Sequence, residues 1–341
     1  MKLTDILVTA ANAVLPVILL ILLGYVLRQK KFLNEEFIKT GNKLVFNVCL
    51  PCMLYINVYQ IERLSDIRWD IVLYCVASLL VIFLLGLAVT LAVTKVPERR
   101  GVVLQCTFRS NFALIGLSLV SALGAEEALA VASIISAFTI PVFNILAVVA
   151  LSMFVGSTAT WQESAKKMLR SILTNPLIIG IALGLASLVI REAQLAVFGE
   201  LVFALNVHTK FLYTALNNIK SIASPFALII LGGEFVFSAV KGLLKEIVAG
   251  TVCRLVVAPL LGIGGIVLLS RAGLLNCGPE VYPALVALYG SPVAVSSAIM
   301  AGSMGNDRQL ATQLVVWTSL LSIVTVFLLV CVLMLLGLIV L

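Results

Sequence analysis

Arg109, Ser110 and Asn111 stand in a row inside the apolar run from Gln105 to Gly124. A guanidinium well inside a membrane span costs about 2.5–3.5 kcal/mol on insertion scales, so it belongs beside a partner or a water-filled cavity. The run is rich in Gly and Ser, including Gly116, as expected where a helix breaks and its backbone lines a cavity. A second run, Tyr289 to Gly305, repeats the pattern: Ser291-Pro292-Val293-Ala294 aligns with Ser110-Asn111-Phe112-Ala113 at one shared offset, as does Gly305 with Gly124. Broken helices expose half-helix N-termini whose partial positive charge suits a carboxylate, and serine hydroxyls can donate to it. Arg109, Ser110, Asn111, Ser291 and Pro292 are therefore the candidate substrate-binding residues. The competing account of Arg109 is that it packs against backbone carbonyls at the break.

The elements that must position these residues are set by composition. The chain has 341 residues, 62% hydrophobic and 11% charged. A soluble protein carries about 25% charged residues, whereas this apolar content suffices for about ten spans of roughly 20 residues. The expected fold is all-α and polytopic: ten transmembrane helices as two inverted five-helix repeats, residues 1–156 and 169–341, joined by a cytoplasmic connection at 157–168. Pro16 and Gly24 recur as Pro176 and Gly184, and Pro51 as Pro225, in the same order in both halves. A repeat with an odd number of spans enters from the opposite side in its second copy, as in secondary transporters. Helices 4 and 9, carrying the two serine motifs, are expected to be broken and to cross. Pro51, Gly116, Pro225 and Pro292 are the expected breaks or kinks. The mixed segment from Arg191 to Tyr213 is expected to form an interfacial amphipathic helix, and the first apolar segment to be retained rather than cleaved.

Charge sets orientation. The formal charge of +7 is the positive-inside excess of a membrane protein rather than a nucleic-acid footprint, and most of the 23 Lys and Arg fall in loops after odd-numbered spans. Those loops are expected to be cytoplasmic and both termini extracytoplasmic, in a multi-pass cell (plasma or inner) membrane protein. Catalytic signatures are absent: one histidine, His208, cannot build a histidine metal cluster, and no Walker loop occurs. Cys49-Leu-Pro-Cys52 lacks a βαβ context, and the seven cysteines read as small buried hydrophobes. No enzyme activity, cofactor or metal is expected. Carboxylates lie mostly in loops; only Glu234 approaches a span interior, while the deep ionisable groups are Arg109 and Arg254. Positive charge without an acidic partner points to an anionic substrate. Glu234 and Arg254 are candidates for coupling or gating, although Arg254 is near enough to an interface to snorkel.

Arg109-Ser-Asn111-Phe-Ala-Leu-Ile-Gly116, together with Pro51, Ser224-Pro225, Gly232-Gly233, Arg254 with Pro259, and Pro292 with Ala294, resembles the auxin efflux carrier family, which includes bacterial malonate-type carriers. The resemblance covers essentially the whole chain. It departs from the pattern at Ser118, where a proline commonly follows the fourth-span glycine by two residues, so the break is expected to be softer or shifted towards Asn111. The resemblance implies a scaffold domain from helices 1, 2, 6 and 7, a moving transport domain from helices 3–5 and 8–10, and substrate beside the helix 4/9 crossover. It implies an alternating-access, elevator-like secondary transporter of small organic anions, either auxin-like or dicarboxylate. The alternatives are a sodium-coupled symporter of the bile-acid type and a non-transporting membrane ligand sensor. The expected partners are a small organic anion, a proton or sodium as coupling ion, the lipid bilayer and a second copy in a homodimer, with no nucleic acid.

Overall fold

The computed structural model describes residues 3–60, 68–122, 126–155, 170, 173–236 and 239–339. The expected connection at 157–168 lies outside them. Within them the chain forms α1 (Leu3–Gln29), α2 (Glu35–Leu44), α3 (Leu50–Tyr59), α4 (Trp69–Val93), α5 (Pro97–Phe108), α6 (Leu117–Ala122) and α7 (Glu126–Met153). The second half supplies α8 (Pro176–Phe198), α9 (Leu205–His208), α10 (Lys210–Glu234), α11 (Val240–Val252), α12 (Ala258–Arg271), α13 (Val281–Leu285), α14 (Ser296–Ser303) and α15 (Arg308–Leu335). No strand occurs among the described residues. Among the described residues, six helical stretches are long and apolar enough to cross a membrane: Trp69–Val93, Glu127–Met153, Pro176–Phe198, Lys210–Glu234, Val240–Arg271 and Arg308–Leu335. The chain is a polytopic, all-helical membrane protein. Leucines and valines on the outer faces, such as Leu73, Leu183 and Leu260, are more than half exposed, as residues against lipid would be.

Single π turns join several of these helices: Val45–Cys49, Phe112–Gly116, Cys253–Val257 and Val286–Gly290. Three of them end two residues before a proline, at Pro51, Pro259 and Pro292. Proline lacks an N–H and its ring clashes with the carbonyl four residues back, so one wider turn relieves the clash; the helix continues at Pro51 and Pro259 and ends before Pro292, where Ser291 is extended. The fourth ends two residues before Ser118, so the wide turn persists without a proline there. The chain break in this span lies upstream, at Arg109–Asn111, on the Asn111 side as expected. Pro225 does not break its helix: α10 runs through it from Lys210 to Glu234. The span containing Arg109 also begins earlier than its hydropathy suggests, at Pro97, because Glu98, Arg99 and Arg100 mask its first turn. No separate amphipathic helix fills 191–213. Instead α8 continues to Phe198, Gly199 closes it in the left-handed conformation (φ 74°), and α10 resumes at Lys210.

Two close helix pairs hold α1 to α10 and α3 to α8 through glycines. A Cβ at Gly24 would overlap the Ile229 carbonyl, and one at Gly232 the Ile21 carbonyl. At Gly180 it would meet the Pro51 carbonyl, and at Gly184 the Val58 side chain and the Tyr55 carbonyl. Small residues that let helix backbones touch are how helices associate in a bilayer, where apolar side chains gain little from each other relative to lipid.

Candidate functional site

The site is built where two interrupted helical stretches meet. One runs α5, Arg109–Asn111, the π turn at Phe112–Gly116 and α6. The other runs α13, the π turn at Val286–Gly290, Ser291–Val295 and α14. Their extended residues pair as a two-residue antiparallel bridge between Ser110 and Val293. The Asn111 N–H donates to the Pro292 carbonyl at 2.8 Å, and the Ala294 N–H to the Arg109 carbonyl at 3.4 Å. The Val293 N–H is taken by the Thr318 hydroxyl at 3.1 Å. The pairing satisfies backbone groups that a helix break deep in the protein would otherwise leave without partners.

The two arginines have opposite roles. Arg254, in the π turn at Cys253–Val257, is fully buried and does not snorkel. Its guanidinium donates only to backbone carbonyls: Nη1 to Phe108 at 3.0 Å, Nη2 to Leu288 at 3.0 Å and Tyr289 at 2.8 Å, and Nε to Ser291 at 3.0 Å. These carbonyls close α5 and the π turn at Val286–Gly290. Arg254 is therefore a C-cap shared by two half-helices, its charge set against the negative ends of both dipoles. A role in coupling or gating is not visible in that arrangement.

Arg109 also lies buried, 3% exposed, but it meets side chains. Nη2 donates to Asn144 Oδ1 and to Ser296 Oγ, each at 2.8 Å, and Nη1 faces the Met300 sulfur, a weak acceptor. Among the described residues no carboxylate pairs with it. Packing against backbone carbonyls describes Arg254, not Arg109. Arg109, Ser110, Asn111, Asn144 and Ser296 share one wall of a cavity of about 50 Å³. Leu50, Met53, Leu54, Leu177 and Ala227 also line it, with Ser224 the polar member of that group, as do the apolar Ile140, Phe143 and Val295. Ser110 Oγ and Asn111 Nδ2 are buried with no hydrogen-bond partner. At about 10–15 Å³ of such volume per water, the cavity has room for a few waters.

The second half-helix of each stretch starts beside this cavity, at Phe112 and Ser296, while the carbonyl ends of the first halves point to Arg254. The crossover thus sorts its dipoles, positive ends towards the cavity and negative ends towards a buried cation. Ser291 and Pro292 are brought to the crossover but do not line the cavity. Ser291 is fully buried with its hydroxyl unpartnered, and Pro292 contributes its carbonyl to Asn111. Gly116 closes its π turn against the Ala287 carbonyl, which a Cβ would meet at 2.9 Å. Sequence reasoning missed Asn144 and Ser296. An asparagine three residues after Pro141 in an otherwise apolar helix was a signal that could have found the first. Glu234 is remote from the crossover, and among the described residues no cluster of three His, Cys, Asp or Glu side chains could hold a metal.

A polytopic helical protein with its polar cluster buried at two helix breaks is built as a membrane transport protein. Residues 9–330 match the family model described as Membrane transport protein, and the chain belongs to that family, the auxin efflux carrier family. No curated protein matches the chain.

Proposed function

We propose that the chain is a secondary active transporter of small organic anions, carboxylates of auxin-like or dicarboxylate type, working by an elevator-like alternating-access mechanism. The observation that carries this reading is Arg109: a buried cation without a carboxylate partner, sharing a cavity wall with the unpartnered donors Ser110 and Asn111. A bound carboxylate would accept from all three, replacing the weak Met300 contact with a charge-assisted bond. Ser296 and Asn144 hold the guanidinium in place, Pro292 supports the site through the backbone pairing, and Ser291 through its carbonyl to Arg254.

The wall composition favours an elevator. Polar groups come almost entirely from the stretches around α5, α7 and α14, which would travel with the substrate. The lining from α3, α8 and α10 is nearly apolar, as suits a surface to slide past. Ten spans in two inverted repeats fit the packing as well. Gly24 against the Ile229 carbonyl and Gly184 against the Tyr55 carbonyl are the same contact, shifted by the spacings that relate Gly24 to Gly184 and Pro51 to Pro225. The orientation remains the one its Lys and Arg distribution favours, with both termini extracytoplasmic.

The test is counterflow in proteoliposomes with a panel of mono- and dicarboxylates, with and without sodium. The wild-type protein should exchange at least one of them, and Arg109→Ala should abolish exchange while keeping a monodisperse elution profile. Unchanged exchange in a folded Arg109→Ala would remove Arg109 from the mechanism. Ligand-induced stabilisation without exchange would favour a sensor.

A further inference from the structure

A second polar cavity, about 980 Å³, opens at the end of the protein formed by the α1 C-terminus, α2, the α10 C-terminus and the α15 N-terminus. Glu234, the last residue of α10, sits in it with its side chain 10% exposed. Its Oε1 receives both the Asn42 amide from α2 and the Arg308 guanidinium from α15. The other atoms of this cluster are left over. Glu234 Oε2, Asn42 Oδ1, Thr312 Oγ1 and Arg308 Nε are all buried without a partner. Buried polar atoms are normally satisfied, so several orphans in one cavity ask for something that is missing.

Asn42 gives its N–H to one carboxylate oxygen; the leftover acceptors, Asn42 Oδ1 and Glu234 Oε2, share the cavity with leftover donors on Thr312, Arg308 and Gln309, so the cluster can hold more than one hydrogen-bond arrangement. A proton taken up at Oε2 would let Glu234 donate to Asn42 Oδ1 as an acid–amide pair, an arrangement that competes with its ion pair to Arg308. A metal cation would satisfy the same oxygens, but the Arg308 guanidinium already occupies the charged side of the carboxylate.

We propose that Glu234 is a proton-binding site that ties the two moving parts together. Ionised, it binds Arg308 and holds α15 against α10 and α2. When a hydronium ion in the cavity gives its proton to Oε2 and leaves as water, Glu234 turns to Asn42, the ion pair with Arg308 is lost, and α15 is released. The other charged groups facing the cavity are Arg28 from α1 and Glu35, Lys39 and Lys43 from α2. Arg28 and Glu35 pair with each other at 3.0 Å, so the cation that meets the Glu234 carboxylate directly is Arg308. This inference rests on the carrier reading for its consequence, proton-linked anion movement, but not for its test.

The test is a pair of spin labels at Lys39→Cys and Ser303→Cys, in a cysteine-free background in nanodiscs, with distances followed across pH and no substrate present. The wild type should gain a longer-distance population as the pH falls. Glu234→Gln, an isostere of the protonated acid that keeps the pairing with Asn42, should show that population at every pH, and so should Arg308→Gln. A pH-independent wild type, a pH response surviving in Glu234→Gln, or the same shift on replacing choline by sodium at fixed pH would each overturn the proposal. Failure of counterflow in the wild type would instead sink the carrier reading and leave these distances interpretable.

Discussion

The Arg254 guanidinium donates to the carbonyl oxygen of Phe108 at 3.0 Å, across a sequence separation of 146 residues. The same side chain takes the Leu288, Tyr289 and Ser291 carbonyls. One cation thereby closes the carbonyl ends of both interrupted stretches, which leaves the opposite, N-terminal ends of the second half-helices to face the cavity. The positive character of the site thus depends on two arginines, one that lines the site and one that holds the negative ends away.

Replacing Arg254 should therefore destabilise the protein rather than tune affinity. Arg254→Leu leaves four buried carbonyls without donors, and unsatisfied buried groups cost about 1–3 kcal/mol each, so a loss of about 3 kcal/mol or more is expected. Arg254→Lys should recover only part of it, because one ammonium cannot cover the fork's five donors. Thermal unfolding of purified protein measures both. A lysine variant as stable as the wild type would show that charge alone, not the guanidinium fork, closes the crossover.

Asn144 offers the sharper functional test. Its Oδ1 accepts from Arg109 at 2.8 Å, and Asn144→Asp would put a carboxylate in the place a substrate should supply. Anion-induced thermal stabilisation and exchange should fall at least tenfold while the protein's own stability holds or rises. If Asn144→Asp binds carboxylates as the wild type does, the Arg109 charge is not what holds them.

How much of this the sequence made visible follows from where the partners lie. Arg109 is legible because its cost is local: a charge in an apolar run, next to Ser110 and Asn111, declares itself. The fold class is legible for the same reason, since about ten spans' worth of apolar residues leaves few alternatives. Arg254 is not, because a carbonyl acceptor has no sequence signature and the four it binds come from two other elements. Asn144 and Ser296 are missed because single polar residues in spans commonly bond their own helix, as the Asn144 amide does to Ile140 at 2.8 Å. Pro225 leaves its helix unbroken because a proline withdraws only one donor, and α10 continues through it.

The glycine contacts predict a matched pair of stability effects. Gly24→Ala must push Ile229 backbone, and Gly184→Ala must push Val58 and the Tyr55 carbonyl, so each should cost about 1–3 kcal/mol as overpacking does. The two pairs meet where α3 packs on α10, so any departure of the double variant from the sum measures the coupling between them. Gly242 is the control: a Cβ there meets nothing within 4 Å, and Gly242→Ala in α11 should be neutral or stabilising by up to about 1 kcal/mol. Equal destabilisation at all three would mean that these losses reflect helix handling in general, not backbone contact.

Orientation can be read from the two ends of the molecule. Lys39, Lys43, Arg28 and Arg308 line the cavity at one end, and Lys241 and Lys245 follow on the same side of the Arg99 ion pairs with Glu246 and Asp307. At the other end Arg68 donates to the Asn276 carbonyl and Tyr59 to Asn206, with fewer cations around them. The lysine-rich end should face the cytoplasm, because short loops bearing Lys and Arg are retained there. In intact cells a membrane-impermeant maleimide should label Glu200→Cys and leave Lys39→Cys unlabelled until the membrane is opened. Labelling of Lys39→Cys alone from outside would invert the molecule, and the proton that reaches Glu234 would then come from the exterior.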